Sequence, residues 1–237
     1  MNIKTTLLVL MAAVFAATAS AKKKETKPMP GNDAPVTTGK AAKINVDQMP
    51  RIGASCCMIA PQLQGASQIG QCYKKPRNWI VLETKYTTYG SDRSRFQDQL
   101  TFTWHVMLET KSAKENKGNK EGLEPYSYFT TSTTYYNIPA GTHASSVVLP
   151  PSYLERFGEP KAVGFVITNE NGDELGGGTI SEIKEIKNDT KFWDDPKIMD
   201  AKDSKGNAYV VRRQGLLDRA KTIWALVNPN DYETTLQ

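Results

Sequence analysis

Residues 99–110 read Gln-Leu-Thr-Phe-Thr-Trp-His-Val-Met-Leu-Glu-Thr, and in them Leu100, Phe102, Trp104, Val106 and Leu108 alternate strictly with Thr101, Thr103, His105, Met107 and Glu109. Side chains on a strand point to opposite faces with period two, so this stretch has one apolar face and one mostly polar face. On a helix the same five residues would scatter around the circumference. The pattern predicts a half-buried antiparallel strand, with the fold organised around its apolar face.

Further stretches on either side have strand character. Trp79–Tyr89 is rich in β-branched and aromatic residues, free of Gly and Pro, and predicts a strand with Ile80, Leu82 and Tyr86 inward. Tyr126–Ile138, full of Thr and Tyr, predicts another, and Ala144–Leu149 a short one stopped by Pro150-Pro151. Pro151–Phe157 has Pro near its start and Gly158 just past its end, the signature of a brief helix. Ala162–Thr168, the turn Asn169-Glu170-Asn171-Gly172 and the segment returning to Thr179–Ile183 form a hairpin pattern. Lys111–Gly122 is polar and charged, as a long exposed hairpin loop would be. Lys191–Met199 predicts one or two helical turns, and Ala208–Arg213 a short strand. Leu216, Leu217, Ala220, Ile223, Trp224 and Val227 fit one helical face, which predicts a helix over 216–227. The expected class is mostly β, an antiparallel sandwich with a few short helices and one domain over 44–237. That domain is expected to place Phe165 and Ile167 on a second sheet opposite the 99–110 strand.

The start of the chain has the pattern of an export signal over residues 1–21. Lys4 is positive, Leu7–Ala17 is apolar, and Ala19-Ser20-Ala21 supplies small residues for cleavage. The apolar run is about 11 residues, well short of the roughly 20 that a membrane-spanning helix needs. No Cys follows the cleavage pattern to take a lipid, and no Gly-Phe-Thr-Leu precedes the apolar run as in a type IV pilin. Residues 22–43 carry six lysines and Pro28, Pro30 and Pro35 with almost no large apolar residue, the composition of a disordered tail. Of 30 basic residues, Lys4 and the tail account for seven, leaving 23; without Glu25 and Asp33 the 25 acidic residues also fall to 23. The expected domain is therefore neutral, which argues against nucleic acid as a partner.

Cys56, Cys57 and Cys72 are the only cysteines. In an exported chain a bridge from Cys56 or Cys57 to Cys72 is expected, closing a loop of roughly 15 residues and stabilising by about 3 kcal/mol in the chain-entropy model. One cysteine is then left over. A thiol enzyme would need a base beside the nucleophile, and only His105 and His143 are available. His143 sits in a Pro-Ala-Gly-Thr-His stretch expected to be an exposed turn. No Gly-x-Ser-x-Gly, His-Glu-x-x-His, phosphate-cradling loop or Cys-x-x-Cys occurs. Asn169, Asn171 and Asp173 alternate as cation ligands might, without the carboxylates and closing Glu of an EF-hand loop. The expectation is accordingly no catalytic residue, no metal and no cofactor. Tyr126, Tyr128 and Tyr136 share one strand face and form a candidate platform for stacking sugars, against the alternative of ordinary cross-strand packing.

The run Leu216-Leu217-Asp218-Arg219-Ala220-Lys221-Thr222-Ile223-Trp224-Ala225-Leu226, with Asn230-Asp231-Tyr232-Glu233 after it and Phe192-Trp193-Asp194-Asp195-Pro196 before it, resembles a family of secreted bacterial proteins encoded in type IV pilus-related gene clusters of mucin-dwelling gut bacteria. The likeness runs from about residue 45 to the end. It implies an immunoglobulin-like β-sandwich and a non-enzymatic part in pilus-associated or surface processes. Where relatives have Asp-Arg-Ser-Lys-Thr-Pro-Phe after the position of Leu217, this chain has Ala220 and Ile223-Trp224. The Pro of that pattern implies an extended segment in competition with the helical periodicity. The combined expectation is an exported interaction protein, periplasmic or outside the cell, with envelope or pilus proteins or its own copies as partners. A carbohydrate-binding module that uses exposed aromatics is the alternative.

Overall fold

The computed structural model describes residues 44–60, 77–89, 95–110 and 125–226. The 99–110 pattern lies in the long strand β4 (Phe96–Glu109), whose Leu100, Phe102, Trp104, Val106 and Leu108 are all fully buried. It pairs antiparallel with β5 (Tyr126–Pro139) on one side and β7 (Glu159–Thr168) on the other. The hairpin partner β8 (Glu174–Ser181) extends the sheet past β7, and β9 (Val210–Arg213) closes it beside β5. The β5–β9 pair is parallel, the one parallel ladder among the described residues and a departure from the fully antiparallel expectation.

The second sheet runs β1 (Ile44–Gln48), β3 (Asn78–Thr88), β6 (Gly141–Leu149), β10 (Leu217–Asp218), with β2 (Cys57–Ile59) also paired to β3. Ile80, Leu82 and Tyr86 point inward as the sequence predicts and are fully buried. They meet Phe102, Val147, Leu149 and Tyr135 in one apolar cluster that both sheets feed. The Tyr86 and Phe102 rings touch across the interface at 4.8 Å, and the Tyr135 and Ser145 hydroxyls hydrogen-bond across it at 3.0 Å. Two sheets that bury their inner faces against each other make a β-sandwich, the expected fold class.

Phe165 and Ile167 correct one expectation. They lie beside β4 rather than opposite it, in register with Trp104 and Phe102. Their side chains still enter the same core, because neighbouring strands of one sheet share a face. The Asn-Gly turn forms as expected, with Gly172 at φ 84°. Asn169 Oδ1 accepts from the backbone N–H groups of Asn171 and Asp173, so this amide closes its own turn. Among the described residues no group of three side chains is placed to hold a metal. Helix α1 (Pro151–Phe157) forms where the sequence puts it, ending at Gly158 with φ 80°.

The 216–227 periodicity does not yield one helix. Leu217 and Asp218 pair with Val148 and Val147, and two short 3-10 turns follow at Arg219–Lys221 and Ile223–Leu226. Asp218 caps the first turn by accepting from the N–H of Ala220 at 3.0 Å. Thr222 then returns to extended backbone and its hydroxyl accepts from Trp224 N–H. These local side-chain bonds offer the backbone an alternative to a continuous helix. Leu216 and Trp224 are buried all the same, so the apolar periodicity reported burial without a helix. The export pattern, the basic tail, Cys72, residues 111–124 and residue 227 onward lie outside the described residues. All the described residues fall in one compact unit, and none of their helices is long and apolar enough to cross a membrane.

Candidate functional site

The outer face of the β4–β5–β7 sheet, expected to be mostly polar, is covered around His105, Met107 and Tyr128. The covering chain is residues 182–201, and its anchor is the Phe192-Trp193 pair. Gly164 of β7 stands directly opposite His105 of β4. A Cβ on Gly164 would lie 2.2 Å from the Trp193 ring, so only glycine leaves room for the indole to lie on the sheet. Trp193 stacks flat on His105, with ring centroids 4.0 Å apart and planes 5° apart. Phe192 packs edge-on against Trp193, and Asp195 caps helix α2 (Pro196–Met199) by accepting from Lys197 N–H. Around them Met107, Tyr128, Ala162, Ile186, Met199 and Val210 form a second apolar cluster, separate from the inner core.

His105 is thus buried under an indole, at 8 % exposure. Its Nδ1 shares a 2.6 Å hydrogen bond with the Tyr128 hydroxyl. Burial lowers the imidazole from 6.5 to about 4, and the same burial raises the Tyr128 phenol. Both groups are therefore neutral at pH 7. His143 lies far from this pair in the other sheet. It is part of β6 rather than an exposed turn, facing Tyr86, with Nε2 2.7 Å from the Pro139 carbonyl that accepts from it.

The three tyrosines do not form one open platform. Tyr128 is 7 % exposed beneath the covering segment, Tyr126 is half-buried, and only Tyr136 stands out, at 47 %. Tyr126 instead walls a cleft of about 440 Å³ where the covering segment meets the end of the sheet. Met107, Ile186, Ile198 and Val210 give the cleft an apolar floor, with Tyr209 on its rim. Burial, then the nearby carboxylates of Glu109 and Glu185, raise the Tyr126 phenol. The cleft's chemistry suits an apolar group with a hydrogen-bond donor. Lys161 on the same face is committed to Glu182.

Cys56 is buried in the inner core, with its thiol donating to the Gly53 carbonyl at 3.0 Å. Burial, followed by the neighbouring Cys57, pushes it up to about 12. Cys57 is half-buried at the start of β2. The thiol of Cys56 is not bridged, and its expected partner Cys72 lies outside the described residues.

Sequence reasoning missed the covered face. Its signal was present in Gly164, a lone glycine inside an apolar strand, where a close approach is the usual reason.

A protein-family model matches residues 40–235, most of the chain. The chain belongs to that family. Among solved structures it is similar to a protein from Akkermansia muciniphila, a mucin-dwelling gut bacterium, with 16% identity and a TM-score of 0.58. The likeness covers 84% of this chain and 97% of that one. At this identity it shows the fold alone. A second solved structure, a β-D-glucoside glucohydrolase from Trichoderma reesei, has 8% identity and a TM-score of 0.23. It covers 60% of this chain and 19% of the other, and carries no argument. No curated protein matches the chain. Family and fold agree with the resemblance seen in the sequence to secreted proteins of mucin-dwelling gut bacteria.

Proposed function

We propose that this chain is an exported, non-enzymatic interaction protein that takes part in a pilus-like or other cell-surface assembly. One structural observation carries the reading. Strand β6 pairs with β3 along its whole length, but β10 covers only Val147 and Val148 on its other side. Among the described residues no strand pairs with that side of 141–146, where 141–144 are exposed or half-exposed and Ser145 and Ser146 are buried. A strand edge with no neighbouring strand is a template for adding a strand from a partner or a second copy. Family membership over residues 40–235 and the fold shared with the Akkermansia protein support the surface setting.

The test is cross-linking in intact cells followed by mass spectrometry, with light scattering of the purified full chain. The expected result is cross-links from 141–146 to an envelope or pilus protein or to a second copy. Lysine on an edge blocks strand addition, so Thr142→Lys is expected to abolish them. A chain that stays monomeric and captures nothing, or a Thr142→Lys variant that captures as well as the wild type, sinks the reading. A bridge from Cys56 or Cys57 to Cys72 is a companion proposal, checked by peptide mapping without reduction.

A further inference from the structure

The cleft between the end of the β4–β5–β9 sheet and the covering segment joins an apolar floor to an acidic wall. Glu109 ends β4 and Tyr126 begins β5 directly opposite it. Period two puts both on the face that carries Met107 and Tyr128. Val210 stands beside Tyr126 on β9. The facing wall is Ile183, Glu185 and Ile186, from the turns after β8, with Ile198 of α2. Ile186 and Val210 belong to the apolar cluster under the covering segment, and Tyr126, Ile183 and Ile198 pack against it. The floor is therefore held by buried packing. At about 440 Å³ the cleft has room for a small organic molecule, whose sites usually run from about 300 to 1,000 Å³.

Glu109, Glu185 and Asp203 line this cleft against one cation, Lys197. The Asp203 carboxylate is used within its own turn, accepting from the N–H groups of Lys205 and Asn207 and from the Asn207 side-chain amide. Glu109 and Glu185 reach the cleft from different elements, and among the described residues no hydrogen bond or ion pair engages either. Both act on one group. After burial, Glu109 and then Glu185 raise the Tyr126 phenol, which stays protonated at pH 7. Lys161 feels Glu109 but is hydrogen-bonded to Glu182. Two carboxylates thus converge on the hydroxyl end of an aromatic ring, above a floor of aliphatic side chains.

We infer that this cleft binds a small organic cation, a primary ammonium carried on an apolar ring or chain. The apolar body covers Ile186 and Ile198, and the ammonium donates to the Glu109 and Glu185 carboxylates beside the Tyr126 ring. An anionic ligand of the same shape would meet like charge, and a neutral one would leave both glutamates without a counter-charge. The cleft belongs to the other sheet from the β6 edge and stands whether or not that edge recruits a partner.

NMR titration of the isotope-labelled full chain tests it with three probes of one shape, 2-phenylethylamine, 2-phenylethanol and 3-phenylpropionate. The amine should bind at millimolar concentration or below and shift the amides of Tyr126, Glu185 and Ile198. The alcohol should bind about fivefold more weakly, and the carboxylate more weakly still. Hexylamine is the aliphatic arm, and the tighter of the two amines tells ring from chain. In the double variant Glu109→Gln/Glu185→Gln the amine should fall to the affinity of the alcohol, while the alcohol is unchanged. Ile198→Ala should weaken amine and alcohol by the same factor. The unfolding midpoint of the double Gln variant is expected to match the wild type. Equal affinity for amine and alcohol, shifts that map outside the cleft, or amine binding that survives the double Gln variant overturns the assignment. So does an absence of shifts with either amine, the result if another part of the chain occupies the cleft.

Discussion

Strand β4 buries its inner face from Leu100 to Leu108 and its outer face at His105 and Met107, by two different routes. Its inner face is a strict alternation of five apolar residues pressed against a second sheet. Its outer face is covered at His105 and Met107 by a segment of turns and short helices some eighty residues further along the chain, while Thr101 and Thr103 stay half-exposed. The inner face is written into the local sequence. The outer face becomes a core only because Gly164 on the next strand leaves space for Trp193. A packed layer can thus be specified by a missing side chain as firmly as by a row of large ones.

The largest expected difference comes from cutting each layer at its main indole. Trp104 is fully buried at the centre of the sandwich, and Trp104→Ala should cost about 3–5 kcal/mol, seen as a loss of global stability in denaturant unfolding. Trp193 is only half-buried, and Trp193→Ala should cost about 2 kcal/mol. Its effect should be local. Hydrogen exchange should rise at Ile186 and Met199 while amides of β3 and β4 keep their protection. Equal losses of protection in both layers would break the distinction.

Acid should separate the layers next. His105 sits at about 4 when folded and near 6.5 when unfolded, so the unfolded chain binds more protons between those values. Its contribution is fully present above pH 6.5, declines as pH falls through that window, and is gone below about 4. The loss amounts to about 3 kcal/mol, limited by what it costs to lift Trp193 and let the ring charge in place. His105→Gln should remove that part of the pH dependence, read as the difference between the two stability profiles. Identical profiles would mean that the imidazole is not sealed.

Gly164→Ala tests the same seal from the other strand. The added methyl displaces Trp193, so this change should cost about 2 kcal/mol alone and clearly less in a Trp193→Ala background, where only the 2.9 Å approach to Thr179 Oγ1 remains. Additive costs in the double-mutant cycle would show that glycine serves the strand rather than the indole.

Much of the fold was legible because the inner layer obeys local rules. Alternation placed β4, composition placed β3 and β5, and Pro151 with Gly158 bracketed α1. Phe165 and Ile167 were assigned to the core correctly but to the wrong sheet, since alternation reports which face is buried and not which strand lies beside it. At 216–227 the spacing of Leu216 and Trp224 marked burial, while Asp218 and Thr222 used their side chains to stop a helix. The outer layer was hidden for one reason. It joins residues distant in sequence, Trp193 with His105, and no local period encodes such a meeting. The tyrosine face of β5 was read correctly as a face, but the covering segment that buries Tyr128 could not be seen from the strand.

The smallest effect isolates the polar contact within the outer layer. Tyr128→Phe keeps the ring against His105 and deletes only the hydroxyl that bonds Nδ1. A buried ring nitrogen left without its partner should cost about 1 kcal/mol, well below the packing losses above. The titration of His105, followed by its ring proton shifts, should move as well. With the phenol donating to a neutral Nδ1, the bond holds the imidazole in its uncharged form and acts in the same direction as burial. Its removal should raise the midpoint from about 4 toward 6.5 while leaving burial as the larger cause. A midpoint that stays in place would assign the whole depression to the Trp193 cover, and one that falls would mean that Nδ1 donates and the phenol oxygen accepts.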